Sequence, residues 1–157
     1  MPRPMTNMKE LETFAREGKI NENASIRDRQ STIINASIEY VWELLTDVPQ
    51  WSSWNADLRN ITAGKVEVGS TFQCTLRHTH LACTFQAVVN HSLLTWTGKG
   101  KFVKVIFVWS LEPSDQQTII TVEQSVEGLV IPILTNQSRL HDVLVDWLQK
   151  LKATAEK

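Results

Sequence analysis

The stretch that decides the fold is residues 35–55, Asn-Ala-Ser-Ile-Glu-Tyr-Val-Trp-Glu-Leu-Leu-Thr-Asp-Val-Pro-Gln-Trp-Ser-Ser-Trp-Asn. Ser37 can cap a helix, because a serine hydroxyl accepts a hydrogen bond from a free N–H of the first turn. Apolar residues then recur at helical spacing at Ile38, Val41, Trp42 and Leu45. Asp47 and Pro49 end the helix, because proline cannot continue it. The stretch therefore predicts the end of a strand, a short amphipathic helix and a Trp-rich turn in direct succession.

Segments with alternating apolar residues lie on both sides of this stretch and predict an antiparallel sheet. One segment, 25–36, precedes the helix, and six follow the Trp-rich turn, at 58–63, 71–77, 81–89, 93–97, 101–111 and 118–126. The clearer of these segments alternate with a period of two, which is the pattern of a strand with one buried face. Because the first segments after the turn are weakly patterned, we expect six or seven strands.

The segments 71–77 and 81–89 predict a β-hairpin. If His78 and Thr79 form its two-residue tip, Leu76 pairs with Leu81, Cys74 with Cys83, and Phe72 with Phe85. This register places all the large apolar groups on one inner face. It also predicts that the two cysteines are reduced neighbours on paired strands.

Both ends of the chain show helical patterns. Residues 5–18 predict a short helix on the outside of the molecule, terminated by Gly18, and we take 1–23 as an N-terminal extension and 24–157 as the main domain. Residues 129–157 predict helix in two parts, because Pro132 starts one and Asn136 or Ser138 can cap the other. The second part carries a broad apolar stripe at Leu140, Val143, Leu144, Trp147, Leu148 and Leu151.

Seven short motifs follow one another in a distinctive order. They are Ala36-Ser37, Val41-Trp42-x-x-Leu45-Thr46-Asp47, Trp51-x-x-Trp54, Gly69-x-x-Phe72, Trp96-Thr97-Gly98, Trp109-x-Leu111-Glu112-Pro113 and Glu123-x-Ser125-x-x-Gly128. This order resembles the START-like (SRPBCC) superfamily, in particular its polyketide cyclase/dehydrase and lipid-transport branch, over residues 24–157. Family members commonly carry Trp-Pro-x-Trp where this chain has Trp51-Ser52-Ser53-Trp54.

The resemblance implies an α+β helix-grip fold of the Bet v 1-like kind. In that fold a curved antiparallel sheet of six or seven strands wraps a long C-terminal helix, two short helices follow strand 1, and an apolar cavity lies between sheet and helix. Activities within the superfamily range from cyclases and hydrolases to lipid carriers and chaperone activators. The resemblance therefore indicates the fold more closely than the chemistry.

The inward positions of the strands and of the last helix predict the cavity walls. The predicted ligand-binding residues are Trp54, Phe72, Cys74, Cys83, Phe85, Trp96, Phe107, Trp109, Gln124, Leu140, Leu144 and Trp147. Aromatic walls suit a flat or greasy ligand, because they offer large contact areas at little entropic cost. The same rings could instead fill the interior completely. Trp42 and Trp51 are expected to anchor the first helices.

Residue types needed for catalysis are sparse in these patterns. The chain lacks a Gly-x-Ser-x-Gly elbow and a phosphate-binding glycine loop, and no nucleophile–base pair can be assigned. The polar candidates near the pocket, Thr118, Gln124, Asn55 and Asn136, can orient a carbonyl but do not titrate near neutral pH. His78 and His80 are expected at an exposed turn, so no metal is expected and no cofactor is predicted.

The charge balance and the apolar runs exclude two classes of function. Sixteen basic and seventeen acidic residues among 157 give a formal charge of −1 without a basic segment, which argues against nucleic-acid binding. The apolar runs are shorter than the roughly 20 residues of a membrane span, and the N-terminal segment carries charges in place of a signal core. A cytoplasmic protein with reduced cysteines is the expectation.

Three functions remain open from the sequence. The first is binding of a hydrophobic or aromatic small molecule, lipid- or polyketide-like, between the sheet and the C-terminal helix. The second is an enzyme resembling the polyketide cyclases and dehydrases, with Gln124, Thr118 and Asn55 as orienting groups. The third is a protein-binding module resembling the chaperone activators, with the outer sheet face as the interface. The sequence does not distinguish a monomer from a homodimer.

Overall fold

The architecture is a seven-stranded sheet with helices on both faces, taken from a computed structural model that describes residues 6–128 and 136–157. The helices are α1 (Met8–Arg16), α2 (Ile38–Thr46), α3 (Trp51–Trp54) and α4 (Gln137–Ala155), with a 3-10 turn at Val48–Gln50. The strands are β1 (Ile26–Ile34), β2 (Leu58–Ala63), β3 (Thr71–Leu76), β4 (Thr79–Val89), β5 (Leu93–Gly100), β6 (Val103–Ser114) and β7 (Gln117–Gly128).

The strands follow the order β1-β7-β6-β5-β4-β3-β2, and every neighbouring pair is antiparallel. Strands β2 to β7 therefore form a continuous meander, while β1 joins the opposite edge beside β7. Helices α2 and α3 carry the chain from one edge to the other. Helix α4 lies against β1 and β7 and contacts α2 and α3. This arrangement confirms the predicted α+β helix-grip fold.

Helix α2 begins and ends where its sequence predicts. The Ser37 hydroxyl accepts a hydrogen bond of 3.3 Å from the backbone N–H of Tyr40, and Val41, Trp42 and Leu45 are buried. The chain leaves the helix at Asp47, and Pro49 lies in the 3-10 turn that follows. The two short helices after strand 1 are thus confirmed.

The β3–β4 hairpin has a different register from the predicted one. Leu76 pairs with Thr79, Cys74 with Leu81 and Phe72 with Cys83, so the tip lies one residue earlier, at Arg77 and His78. Each partner changes by two residues, and for that reason the inner face keeps the same side chains.

The tip forms there because Arg77 has a positive φ of 57° and is held by Asp57. The Arg77 N–H donates to the Asp57 carbonyl oxygen at 2.7 Å, and its guanidinium lies 3.4 Å from the Asp57 carboxylate. A positive φ suits the two-residue turns that connect antiparallel strands.

The β6–β7 hairpin is longer than predicted. Pairing continues to Ser114 and Gln117, beyond the predicted strand ends at 111 and 118, so the turn consists of Asp115 and Gln116 alone. Asp115 has a φ of 57°, which permits this tight reversal.

Helix α1 packs on the outer face of the sheet, as predicted for the N-terminal segment, although it begins at Met8 instead of residue 5. Leu11 and Ala15 are buried against Ile106 and Val108. The Thr95 hydroxyl donates a hydrogen bond of 2.7 Å to the Ala15 carbonyl oxygen. The helix therefore covers apolar surface that the sheet would otherwise expose.

Helix α4 is capped by Asn136, whose side-chain oxygen accepts a hydrogen bond of 2.9 Å from the Arg139 N–H. Its buried stripe includes Leu140, Leu144, Trp147, Leu148 and Leu151. The separate helical piece predicted around Pro132 lies outside the described residues. Within 6–128 and 136–157, no helix combines the length and the apolar character needed to cross a membrane.

Candidate ligand-binding site

A cavity of about 270 Å³ lies between the tip of the β3–β4 hairpin, the ends of β6 and β7, and the first turns of α4. Its volume is close to the lower limit of about 300 Å³ for typical ligand pockets. Its lining residues are Leu76, Arg77, His78, Thr79, Leu81, Val103, Val105, Gln124, Val126, Arg139, Leu140 and Val143.

The cavity exists because the inward side chains become smaller toward this end of the sheet. Along β6, Trp109 and Phe107 are followed by Val105 and Val103, whose partners on β5 are Gly98 and Gly100. The aromatic rings fill the space between the middle of the sheet and α4. The valines and glycines do not reach as far from the sheet, so a space remains under the first turns of α4.

Gln124 is the buried polar side chain of the cavity wall. It lies on β7 opposite Phe107, and only 4% of its surface is exposed. Its Oε1 has no hydrogen-bond partner among the described residues. An unpaired buried acceptor costs about 1–3 kcal/mol. A ligand that places an O–H or N–H at this oxygen would recover that free energy.

The mouth of the cavity carries positive charge. Arg77 and His78 are exposed at the hairpin tip, and Arg139 is exposed in the first turn of α4. None of the lining residues named above is an aspartate or a glutamate. Arg77 is paired with Asp57 at 3.4 Å. The cavity is therefore apolar inside and cationic where it meets solvent.

An aromatic cluster fills the middle of the interface between sheet and helix. It consists of Trp51, Phe72, Phe85, Trp96, Phe107, Trp109 and Trp147. The ring centroids of Trp96 and Phe107 are 5.0 Å apart, and those of Trp109 and Trp147 are 5.2 Å apart. Rings at these separations attract one another beyond their simple burial. The cluster is packed core beside the cavity, and its residues are not among those that line the cavity.

The predicted ligand-binding residues divide between these two regions. Gln124 and Leu140 line the cavity. Six others, Phe72, Phe85, Trp96, Phe107, Trp109 and Trp147, belong to the aromatic cluster, while Cys74, Cys83 and Leu144 are buried and Trp54 is half-buried against the core. None of these ten is among the residues that line the cavity. Contact between them and a ligand stays a prediction.

Trp51 has a larger role than anchoring the first helices. Its indole N–H does hold α2, donating a hydrogen bond of 2.9 Å to the Leu45 carbonyl oxygen. Its ring also contacts Phe72, Trp96 and Trp147 at centroid distances of 5.6, 5.3 and 5.6 Å. Trp42 is also buried in the core, with its ring edge-on to that of His91 at a centroid distance of 6.3 Å.

Sequence reasoning missed the short side chains and the cations of the cavity. Val103, Val105 and Val126 have the predicted inward parity, and the taper from Trp109 to Val103 is a signal that was present in the sequence. Arg139 lies outside the apolar stripe of α4, so the pattern of apolar residues does not point to it. Its position over the cavity follows only from how α4 crosses the sheet.

The two cysteines are reduced and buried on neighbouring strands, where Cys74 pairs with Leu81 and Cys83 with Phe72. The neighbouring Cys83 thiol lowers the pKa of Cys74. The Cys74 thiol, together with burial, raises the pKa of Cys83 well above its ordinary value. Both thiols belong to the same packed core as the aromatic cluster.

The other polar candidates are engaged in the fold. The Thr118 hydroxyl donates to the Ala36 carbonyl oxygen at 2.9 Å. The Asn55 side-chain oxygen accepts from the Asp57 N–H at 3.1 Å and from the Lys150 ammonium at 3.3 Å. Asn136 caps α4. Of the four candidates, Gln124 is the one that lines the cavity.

The described part of the chain contains no cluster of three or more histidine, cysteine, aspartate or glutamate side chains suited to a metal ion. His78, exposed at the mouth, is the one histidine among these lining residues, and none of them is a cysteine, an aspartate or a glutamate. The arrangement can bury an apolar molecule and orient it through hydrogen bonds.

Solved structures with the same fold come from several bacteria. A hypothetical protein from Helicobacter pylori aligns with a TM-score of 0.76 and 16% identity, covering 99% of this chain and 98% of that one. A START superfamily protein from Mycobacterium smegmatis aligns with a TM-score of 0.71 and 13% identity, covering 83% of this chain and 97% of that one. A protein from Chromobacterium violaceum aligns with a TM-score of 0.71 and 15% identity, covering 84% of this chain and 99% of that one. At these identities the likeness concerns the fold.

A search of the curated proteins found no match. A family model does match, and it spans residues 26–156, which is nearly the whole helix-grip unit from β1 to the end of α4. The START-like resemblance noted in the sequence is thereby confirmed. The chain belongs to the polyketide cyclase/dehydrase and lipid transport family.

Proposed function

We propose that this protein binds a small, largely apolar molecule in the cavity under the first turns of α4, and that the molecule donates a hydrogen bond to Gln124. The observation that carries the proposal is the unpaired, buried Oε1 of Gln124 in a cavity whose inner walls are leucine and valine. Leaving an acceptor unpaired in such surroundings costs free energy. A ligand would return that cost on binding. Membership of the family supports a hydrophobic ligand.

The volume and the walls narrow the class of ligand. A cavity of about 270 Å³ suits a medium-length chain or a bicyclic ring better than a complete phospholipid. Its inner walls are aliphatic, so binding would draw on burial of apolar area, worth about 25 cal/mol per Å² before the costs of association. Within the lipid- or polyketide-like class, the geometry favours the smaller members.

Two observations favour binding over the alternative functions. The inner wall offers a hydrogen-bond acceptor but no acid, base or nucleophile, which a cyclase or dehydrase would use for proton transfer. Helix α1 covers part of the outer sheet face, where a chaperone-activator-like interface was expected. These two observations favour binding of a small molecule in the cavity over binding of a protein at the outer sheet face.

The test is calorimetric titration of the protein with 1-octanol and 2-naphthol, accompanied by two-dimensional NMR of the backbone amides. We expect saturable binding of at least one compound, with shifts at residues around the cavity. Val105→Trp should fill the cavity and weaken binding at least about tenfold. The matched control is Val89→Trp, at an exposed valine on β4, which should bind as the wild type does.

A smaller change tests the polar contact. Gln124→Leu removes the acceptor and should weaken binding of these alcohols about two- to tenfold, the range of one neutral hydrogen bond. Circular dichroism and thermal unfolding of each variant separate loss of binding from loss of fold. The absence of saturable binding by either compound to the folded wild-type protein would contradict the proposal.

A further inference from the structure

The cations at the mouth of the cavity differ in whether the protein itself neutralises them. The Arg77 guanidinium lies 3.4 Å from the Asp57 carboxylate, which also has Lys150 at 3.8 Å. Arg139 has no carboxylate within 4.0 Å in the described part of the chain. The segment 129–135, Leu-Val-Ile-Pro-Ile-Leu-Thr, contains no acidic residue either. Arg139 is therefore the cation at the mouth that an anionic ligand can use.

The place of Arg139 in its helix adds to this positive charge. Arg139 lies in the first turn of α4, and no acidic residue accompanies it there. The N-terminal end of a helix already carries partial positive charge from the aligned peptide dipoles, so a cation at this position is unfavourable for the helix itself. An anion at the mouth would relieve this repulsion as well as pair with the guanidinium.

A second, independent feature of the same cavity points to a ligand. Gln124 is more than nine-tenths buried and lines the cavity with an unpaired Oε1. The cavity thus has a buried acceptor and aliphatic walls inside, and an exposed guanidinium at its mouth. A molecule that complements these three features has a hydrogen-bond donor for Gln124, an apolar body and an anionic end.

We infer that the ligand is a small amphiphilic carboxylic acid whose carboxylate pairs with Arg139 while its apolar body fills the cavity. This inference rests on the proposed function and adds the chemical class of the ligand. A guanidinium binds a carboxylate through two parallel hydrogen bonds, and a single free arginine matches a single negative charge. Arg139 is then the residue that selects acids over neutral molecules of the same size.

The test compares two matched pairs of compounds at neutral pH, 8-hydroxyoctanoate with 1-octanol and 6-hydroxy-2-naphthoate with 2-naphthol, because each acid keeps the hydroxyl donor of its neutral partner and adds a carboxylate at the other end. We expect the wild-type protein to bind at least one carboxylate about tenfold more tightly than its neutral partner, since hydrogen bonds to charged groups are the stronger ones. Arg139→Gln should abolish that preference by lowering the affinity for the carboxylate more than the affinity for the alcohol. Arg139→Lys should restore part of it, because lysine keeps the charge but not the paired geometry.

A charge-matched control separates Arg139 from the net charge of the molecule. Lys65→Gln removes one positive charge at an exposed position that does not line the cavity, and it should leave the preference unchanged. Raising the salt concentration should weaken binding of the carboxylate and not that of the alcohol.

The possible results separate this inference from the proposed function. If the alcohols bind and the carboxylates bind no more tightly, the assignment of an acid is wrong and the proposed function stands. If Arg139→Gln leaves the preference intact, or weakens acid and alcohol equally, Arg139 does not select the ligand and the inference is wrong. If none of the four compounds binds, both fail.

Discussion

Two buried glutamines differ in whether the protein satisfies their hydrogen-bonding groups. Gln86 is 5% exposed and fully engaged: its Nε2 donates to the Thr97 hydroxyl at 3.2 Å, and its Oε1 accepts from the Arg16 guanidinium at 3.3 Å. Gln124 is 4% exposed, yet its Oε1 has no partner in the described structure. The two side chains are buried to nearly the same extent, and they differ in whether their Oε1 atoms accept a hydrogen bond.

Replacing each glutamine with leucine should therefore have opposite effects on stability. Gln86→Leu leaves the Arg16 and Thr97 groups without their partner, so the free energy of unfolding should fall by about 1–3 kcal/mol. Gln124→Leu removes an unpaired acceptor and adds apolar burial, so the free energy of unfolding should stay constant or rise by about 1 kcal/mol. Urea denaturation of both variants measures this contrast. An equal loss in both would mean that Gln124 is a structural residue.

At the scale of elements, α4 is tied to the sheet at its C-terminal end by a carboxylate. Glu156, just past the helix, accepts a hydrogen bond of 2.8 Å from the Asn35 backbone N–H at the end of β1. It also lies 2.7 Å from the Lys152 ammonium. The Asn35 hydrogen bond and then Lys152 lower the pKa of Glu156. This contact fixes the C-terminal end of α4 to β1, at the end of the helix that lies away from the cavity.

Because the pKa of Glu156 is lower in the folded state, its contribution to stability depends on pH in a definite direction. The contribution is complete above the unfolded pKa of about 4.3 and is lost as the pH falls through the lower folded pKa. Glu156→Gln should destabilise the protein at pH 7, and the difference from wild type should shrink as the pH falls below the unfolded pKa. Chemical denaturation at pH 7 and at a series of lower pH values measures this difference in the free energy of unfolding. Glu112→Gln, at an exposed glutamate with no ion pair among the described residues, should show no such pH-dependent difference.

At the scale of the whole molecule, the sheet is covered on both faces by different apolar groups. The inner face holds the aromatic cluster, the cavity and α4, while Leu11 and Ala15 of α1 cover Ile106 and Val108 on the outer face. Neighbouring residues of β6 therefore alternate between two cores. We propose that α1 is an integral layer of the fold, although the sequence presents residues 1–23 as an extension.

Leu11→Ala tests that proposal. Leu11 is 1% exposed, so the change should lower the free energy of unfolding by about 2–5 kcal/mol. Lys9→Ala, on the exposed side of the same helix, should change it by less than about 0.5 kcal/mol. Thermal and urea denaturation provide the measurement. Binding of the alcohols should be unaffected in the folded variant, because the cavity lies across the sheet; a stability like that of wild type would instead make α1 a dispensable appendage.

Local patterns in the sequence determined most of the architecture. The cap at Ser37, the strand alternation and the stripe of α4 depend on residues close together in the chain, and the structure has all three. The tip of the β3–β4 hairpin escaped prediction because Arg77 is held by Asp57, twenty positions away in the sequence. A contact of that kind leaves no trace in the pattern of apolar residues.

The candidate site likewise has a part that the sequence predicts and a part that it does not. Parity identified the inward strand residues, including Gln124, because alternate side chains of a strand face the same side, and the helical spacing of the apolar stripe identified Leu140. Parity does not say whether an inward side chain fills the space in front of it. Trp109 does so against Trp147, whereas Val103 and Val105, facing glycines on β5, leave the cavity open. Only the tertiary structure decided this, since the free volume depends on the summed sizes of side chains from distant strands and on where α4 crosses above them.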